Sequence, residues 1–146
     1  MDTTINKKYK ILLVEDNPDD VFLIKYAIDE LKTSIELIVF NNGQSVIEHL
    51  NTDNNIDFPD LILLDINLPK VNGLEILKTI KAKPIVSAIP TIILTSSDLP
   101  SDMECSYKYA ASMYFLKPNN IQGFKEMMKY IIENYLDGTK IPTLSS

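Results

Sequence analysis

The chain has 146 residues, 45% of them hydrophobic and 23% charged, ordinary proportions for one globular domain with its own core. A net charge of −6 argues against nucleic acid as a partner, and no apolar run approaches the roughly 20 residues of a membrane span. One cysteine, Cys105, rules out an intrachain disulfide and a four-cysteine zinc site; one histidine, His49, with no G-x-S-x-G motif, argues against a Ser-His-Asp hydrolase. The segment Met1 to Lys8 lacks the apolar core of a signal peptide, so a cytoplasmic protein with no membrane partner is expected.

In chain order, Tyr9 to Val14 reads as a strand and runs into Glu15-Asp16-Asn17-Pro18-Asp19-Asp20. Pro18 suits the first position of a helix, with Asp16 or Asn17 as its cap. Val21, Ile24, Ala27, Ile28 and Leu31 continue that helix as one apolar stripe. Favourable interaction with the helix dipole accounts for Asp19 and Asp20; it explains Glu15 and Asp16 less well, because they lie at the strand end. Ile35 to Phe40 is a further strand, Asn41-Asn42-Gly43 a turn, and Val46, Ile47 and Leu50 mark a short helix in which His49 is expected to be solvated. A polar loop, Thr52 to Pro59, leads to the run Asp60-Leu-Ile-Leu-Leu-Asp65-Ile-Asn67-Leu-Pro69. Four apolar residues without polar alternation, bracketed by Pro59 and Pro69, indicate a strand buried on both faces, with Asp65 at its carboxyl end. Open α/β sheets place their ligands at that edge.

Beyond it, Leu74, Ile76, Leu77 and Ile80 form a helix that Asn72 caps, and Lys81 to Ile89, containing Pro84, is a connection. Pro90 to Thr95 is a fourth buried strand. Pro100 to Ala111 is predicted as a helix with a weak apolar face of Met103, Tyr107 and Ala110 or Ala111. Met113 to Leu116 is a fifth strand ending in Lys117-Pro118. Asn119 is expected to cap the last helix, whose Phe124, Met128, Ile131 and Tyr135 face the core, and Gly138 to end it before a frayed tail.

The element order is therefore (βα)5 with parallel strands. All strand ends then share one edge, so Glu15, Asp16, Asp65, Thr95 and Lys117 converge although they lie far apart in sequence. Converging carboxylates repel unless a cation screens them. Asp16, Asp65 and a backbone carbonyl near Asn67 offer an all-oxygen site suited to Mg²⁺, with Glu15 placed to hold a bound water. Lysine and threonine beside such a metal are typical partners of phosphoryl oxygens, and an aspartate between Mg²⁺ and lysine can accept a phosphoryl group.

Four segments carry a resemblance: Leu13-Val14-Glu15-Asp16-Asn17, Leu64-Asp65-Ile66-Asn67-Leu68-Pro69-Lys70-Val71-Asn72-Gly73, Ile93-Leu94-Thr95-Ser96 and Tyr114-Phe115-Leu116-Lys117-Pro118. As a set they resemble the receiver domain of two-component response regulators, over residues 9–136, with 1–8 as an N-terminal extension and 137–146 as a C-terminal tail. The wording, Glu15-Asp16-Asn17-Pro18-Asp19-Asp20 above all, also resembles the small stand-alone regulators that include phytochrome-associated ones. The resemblance implies an α/β, flavodoxin-like three-layer sandwich with parallel strand order 2-1-3-4-5. It makes Asp65 the phosphoacceptor, Glu15 and Asp16 the Mg²⁺-binding acids, and Asn67 the residue lending its backbone carbonyl. Thr95 would hydrogen-bond the phosphoryl oxygen, Lys117 would pair with it, and Tyr114 would be the switch aromatic that follows Thr95. A sensor histidine kinase or a histidine phosphotransfer protein would be the donor. The chain would act as a signalling domain, with slow autophosphatase activity at most, and would signal through protein contacts, since no output domain follows.

Two other functions weigh less. A haloacid-dehalogenase type phosphatase needs an Asp-x-Asp pair, whereas Asp65 is followed by Ile66-Asn67; a flavin carrier needs a Gly/Ser/Thr-rich phosphate loop where this chain has acids. Two departures from the receiver pattern stand out: Pro84, and Ala110 where glycine is usual, a position that would strain a left-handed helix cap. Lys117-Pro118 is expected to be a cis peptide, aiming Lys117 back at Asp65. Residues 100–135, with Tyr107, Tyr109, Tyr114, Met127 and Tyr130, are expected to form the output face and a candidate homodimer surface.

Overall fold

The computed structural model describes residues 8–51 and 58–136. Strands β1 (Tyr9–Val14), β2 (Ile35–Phe40), β3 (Leu61–Leu64), β4 (Thr91–Thr95) and β5 (Met113–Leu116) form one sheet in the order β2-β1-β3-β4-β5, every neighbouring pair parallel. Between and after them run α1 (Pro18–Glu30), α2 (Gly43–Leu50), α3 (Gly73–Lys81), α4 (Pro100–Lys108) and α5 (Ile121–Tyr135). This is the flavodoxin-like (βα)5 sandwich. The sheet separates two cores, and strand periodicity decides which residue enters each. Ile11, Leu13, Leu61, Leu63, Ile92 and Leu94 point to the side covered by α1 and α5, whereas Leu12, Val14, Ile62, Leu64 and Ile93 point to α2 and α3. Both faces are dry, so the central strands read as unbroken apolar runs. Full burial of each such Leu or Ile contributes roughly 1.5–3 kcal/mol.

Helix starts follow local capping chemistry. Asn17 accepts from the Asp19 and Asp20 amides, Asn42 from Ser45 and Asn72 from Leu74. At α5 the cap is Asn120, not Asn119: its side chain accepts from Gly123 N–H at 2.8 Å. The connection after α3 contains a 3₁₀ turn over Val86–Ala88, and Lys81 Nζ holds it by donating to the Ser87 and Ile89 carbonyls at 3.1 Å each. His49 is half-buried and packs its ring on Phe40, centroids 5.1 Å apart, rather than standing free in solvent. Gly138, the tail 137–146 and residues 52–57 of the polar loop lie outside the described residues.

Helix α4 departs most from expectation. It ends at Lys108, and Met103 and Tyr107 face outward at 42% and 46% exposure. Its buried residue is Ser106, whose hydroxyl is satisfied by the Asp102 carbonyl one turn back. Its C-terminus is closed by a Schellman motif: Ala111 N–H reaches the Ser106 carbonyl and Ala110 N–H the Tyr107 carbonyl, both at 3.0 Å. Ala110 adopts the left-handed conformation (φ 69°) despite its Cβ. The two hydrogen bonds and the burial of Ala111 hold it there. Ala110→Gly is therefore expected to stabilise the fold by about 1 kcal/mol, the strain relieved less the extra freedom of glycine in the unfolded chain. Urea denaturation measures this, and an unchanged or lower midpoint would contradict it.

Candidate functional site

The carboxyl ends of β1, β3, β4 and β5 bring the site residues to one edge. Asp65 follows β3 directly and is buried to 3% exposure. Its Oδ1 accepts the Asn67 N–H at 2.9 Å, and its Oδ2 accepts Lys117 Nζ at 2.9 Å. Gly73 makes this seat: a Cβ there would overlap the Asp65 carbonyl and the Ile66 Cα, and its N–H bonds the Ile66 carbonyl at 3.1 Å. The intervening loop closes with Val71 N–H on the Pro69 carbonyl around Lys70, whose φ is 67°, the strained form of a γ-turn.

Glu15, Asp16 and Asp65 each present one carboxylate oxygen, all within 4.8 Å of one another. Glu15 is 1% exposed, Asp16 is open to solvent. Lys117 Nζ lies 2.9 Å from Glu15 Oε1, 2.8 Å from Asp20 Oδ2 and 2.9 Å from Asp65 Oδ2. Hydrogen bonds form to Asp20 and Asp65. The Glu15 contact is charge attraction without hydrogen-bond alignment, and Glu15 Oε1 is a buried oxygen with no hydrogen-bond donor. The electrostatics follow from this unequal sharing. Burial, with the Asp65 charge beside it, outweighs Lys117 and pushes the Glu15 carboxyl up to about 7. Burial pulls the Lys117 ammonium down, but Asp20, Asp65 and Glu15 together hold it above its ordinary value.

A cluster of hard oxygen donors, one of them orphaned, with a single ammonium among four carboxylates, fits a divalent cation. Glu15, Asp16 and Asp65 are the residues that would hold it.

Thr95, at the end of β4, is fully buried. Its Oγ1 accepts from Asn67 Nδ2 at 3.2 Å and from Ser97 N–H at 3.3 Å, so both lone pairs are committed and the hydroxyl proton is what it can offer an anion. Tyr114, on β5, is buried, and its hydroxyl donates to the Ser97 carbonyl at 2.8 Å. Thr95, Ser97 and Tyr114 are thus linked by hydrogen bonds. The described residues contain no cis peptide bond, so Lys117-Pro118 is trans. Lys117 N–H extends the sheet pairing to the Thr95 carbonyl at 2.8 Å, and from there the long side chain reaches Asp65 without a cis turn.

Asp20 joins the site although the helix dipole was expected to account for it. The signal was present: Asp20 lies four residues before Ile24 and eight before Ile28, on the stripe of α1 that faces the sheet. A carboxylate on that stripe, one turn beyond the strand end, has to look at the sheet edge.

The profile of the response regulator receiver domain matches residues 11–129. Response regulator Rcp1 of Synechocystis is 33% identical over 135 residues, covering 90% of this chain and 92% of its own. The structure of the phosphorylated cyanobacterial phytochrome response regulator RcpA is 33% identical with a TM-score of 0.83, covering 94% of this chain and 100% of RcpA. The Mn²⁺-bound form of Rcp1 superposes with a TM-score of 0.81 at 33% identity, covering 94% and 99%.

The raised Glu15 carboxyl makes a pH prediction. Unfolded chain releases this proton near 4.5 and folded chain near 7, so the folded state binds more protons across that window and stability falls as pH rises through it. Metal-free protein is expected to lose roughly 1–3 kcal/mol between about pH 5 and pH 8 through this group, and Glu15→Gln to abolish the loss. Urea midpoints at both pH values, for both proteins, measure it; an undiminished drop in the variant would assign the effect elsewhere.

Proposed function

The chain belongs to the response regulator receiver domain family, and on that premise we propose that it is phosphorylated on Asp65. The observation that carries the reading is Asp65 itself: a buried carboxylate at the sheet edge, 2.9 Å from the Lys117 ammonium and within 4.8 Å of the oxygens of Glu15 and Asp16. The donor is the phosphohistidine of a sensor histidine kinase or of a histidine phosphotransfer protein. An Asp65 carboxylate oxygen attacks phosphorus, the P–N bond breaks, and the imidazole leaves with the electron pair and takes up a proton. The product is an acyl phosphate on Asp65. Glu15, Asp16, Asp65 and the Asn67 backbone carbonyl hold Mg²⁺, which supplies charge neutralisation for the carboxylates and the phosphoryl oxygens. Lys117 exchanges its bond to Asp65 for one to a phosphoryl oxygen, and the Thr95 hydroxyl donates to another. The domain is a signalling element rather than a turnover enzyme, with slow autophosphatase activity at most.

The receiver unit spans residues 9–136, with 1–8 as an extension and 137–146 as a tail. The chain's net charge of −6 fits protein rather than nucleic-acid partners, and no helix among the described residues is long and apolar enough to cross a membrane. A cytoplasmic location suits a protein that meets a kinase domain. Output runs through α4, β5 and α5. Leu99, Met103, Tyr107, Leu116 and Tyr130 are exposed there at 42–57%, on α4, α5 and the end of the edge strand β5, whereas Tyr114 and Met127, expected on this face, are buried; the exposed face is a candidate for a partner or a second copy. The links from Thr95 through Ser97 to Tyr114 couple the site to it.

Incubation with acetyl phosphate and Mg²⁺ is expected to add one phosphoryl group by intact mass, none without metal and none in Asp65→Asn. An adduct that survives Asp65→Asn defeats the assignment. With beryllofluoride, amide exchange is expected to change in α4 and β5 as well as in the loops around Asp65; changes confined to those loops would defeat the output face.

A further inference from the structure

The receiver reading gives Lys117 the task of meeting the phosphoryl group, and what holds Lys117 ready for it is Asp20. The side chains of Lys117 and Asp20 are only 11% and 18% exposed, so water is a minor partner for either. A buried ammonium must satisfy three N–H groups in a narrow space. One goes to Asp65, the group that changes chemically in the reaction, and Glu15 offers charge without alignment. Asp20 gives the remaining aligned bond, the shortest of the three contacts at 2.8 Å, from a different element than the nucleophile.

Asp20 is well fixed for this role. Its backbone N–H is held by the Asn17 side chain at 3.3 Å, within the first turn of a 13-residue helix whose inner face is fully packed. Its carboxylate oxygen is not among the three that converge at the candidate metal position. It therefore stands apart from both the nucleophile and the metal ligands.

We propose that Asp20 is a positioning residue: it anchors the Lys117 ammonium on the α1 side of the site, so that Lys117 can give up its bond to Asp65 and take a phosphoryl oxygen without leaving the edge. This rests on Asp65 being the phosphoacceptor. A lysine bound to Asp65 alone would neutralise the nucleophile in the resting state and have nothing to pivot on during transfer. Anchored at Asp20, it keeps one fixed bond while the other is exchanged.

Asp20→Asn keeps the size and an acceptor oxygen but removes the charge, and Asp20→Glu restores the charge on a longer stem. Phosphorylation by acetyl phosphate at saturating Mg²⁺ is expected to slow about tenfold or more in Asp20→Asn and to recover to within about threefold of the unmodified protein in Asp20→Glu. Mg²⁺ affinity, titrated separately, is expected to change less than about threefold in Asp20→Asn, since Asp20 is not a ligand. The Lys117 ammonium signal in ¹⁵N-lysine correlation spectra, assigned with Lys117→Arg and recorded without phosphodonor, is expected to shift or broaden away in Asp20→Asn. An Asp20→Asn protein phosphorylated at the unmodified rate, or one whose Lys117 signal is unmoved, overturns the proposal. A rate loss matched by an equal loss of Mg²⁺ affinity also overturns it, assigning Asp20 to the metal instead. Should the unmodified protein itself take no phosphoryl group, it is the reading of Asp65 that fails, and the anchor falls with it.

Discussion

One ammonium shared among buried carboxylates is the interaction on which the site depends. Lys117 contacts Glu15, Asp20 and Asp65 at 2.8–2.9 Å, and Asp16 stands at the same edge. The charge does not balance, and the imbalance is felt where solvent is least able to help: Glu15, almost fully buried, retains its proton far above the usual carboxylate range. Removing one partner from a buried ion pair typically costs about 3–5 kcal/mol, so the fold tolerates this edge only while Lys117 is in place. Such a site is poised rather than relaxed. Its converging oxygen donors fit a divalent cation, and burial beside the Asp65 charge favours a protonated Glu15.

The scaffold makes this concentration of charge bearable by keeping it at the rim. Residues Ile11 to Val14 and Leu61 to Leu64 are almost wholly buried, and polarity begins abruptly at Glu15 and Asp65. In a parallel sheet those transitions fall side by side, because β1 and β3 run in register from Ile11↔Leu61 to Val14↔Leu64. Gly73 then lets α3 approach the Asp65 backbone closely, fixing the seat of that carboxylate, while Lys117 N–H pairs with the Thr95 carbonyl and fixes the root of the ammonium side chain. Thr95 and Tyr114 sit on the next strands, linked through Ser97 and beside α4, the helix that buries only Ser106. Tight packing and loose packing thus lie on adjacent elements.

How much of this could be read from the residues depends on whether the signal was local. The strands were legible because both-face burial leaves no polar alternation, and the convergence of Glu15, Asp65 and Lys117 followed from parallel topology alone. Asp20 was not assigned because its first-turn position already had a sufficient explanation in the helix dipole; the helical phase relative to Ile24 carried the better one. The α4 residues Met103 and Tyr107 were assigned to an apolar face by composition, whereas the residue this helix buries is Ser106, small and self-satisfied through the Asp102 carbonyl. The cis Lys117-Pro118 peptide was inferred from the need to aim Lys117, but four methylenes already reach. Ala110 shows the limit of residue-type rules: two carbonyl bonds and a buried neighbour hold an alanine where glycine is cheaper.

The charge deficit at the edge is most directly tested by calorimetric titration of Mg²⁺ near pH 6.5, in two buffers that differ in ionisation enthalpy. If burial and the neighbouring Asp65 charge keep a proton on Glu15 there, Mg²⁺ binding must expel a fraction of it, so the apparent heat will differ between buffers. Glu15→Gln will both weaken binding and erase that difference. Binding that releases no proton, or releases as much in Glu15→Gln, would contradict the account.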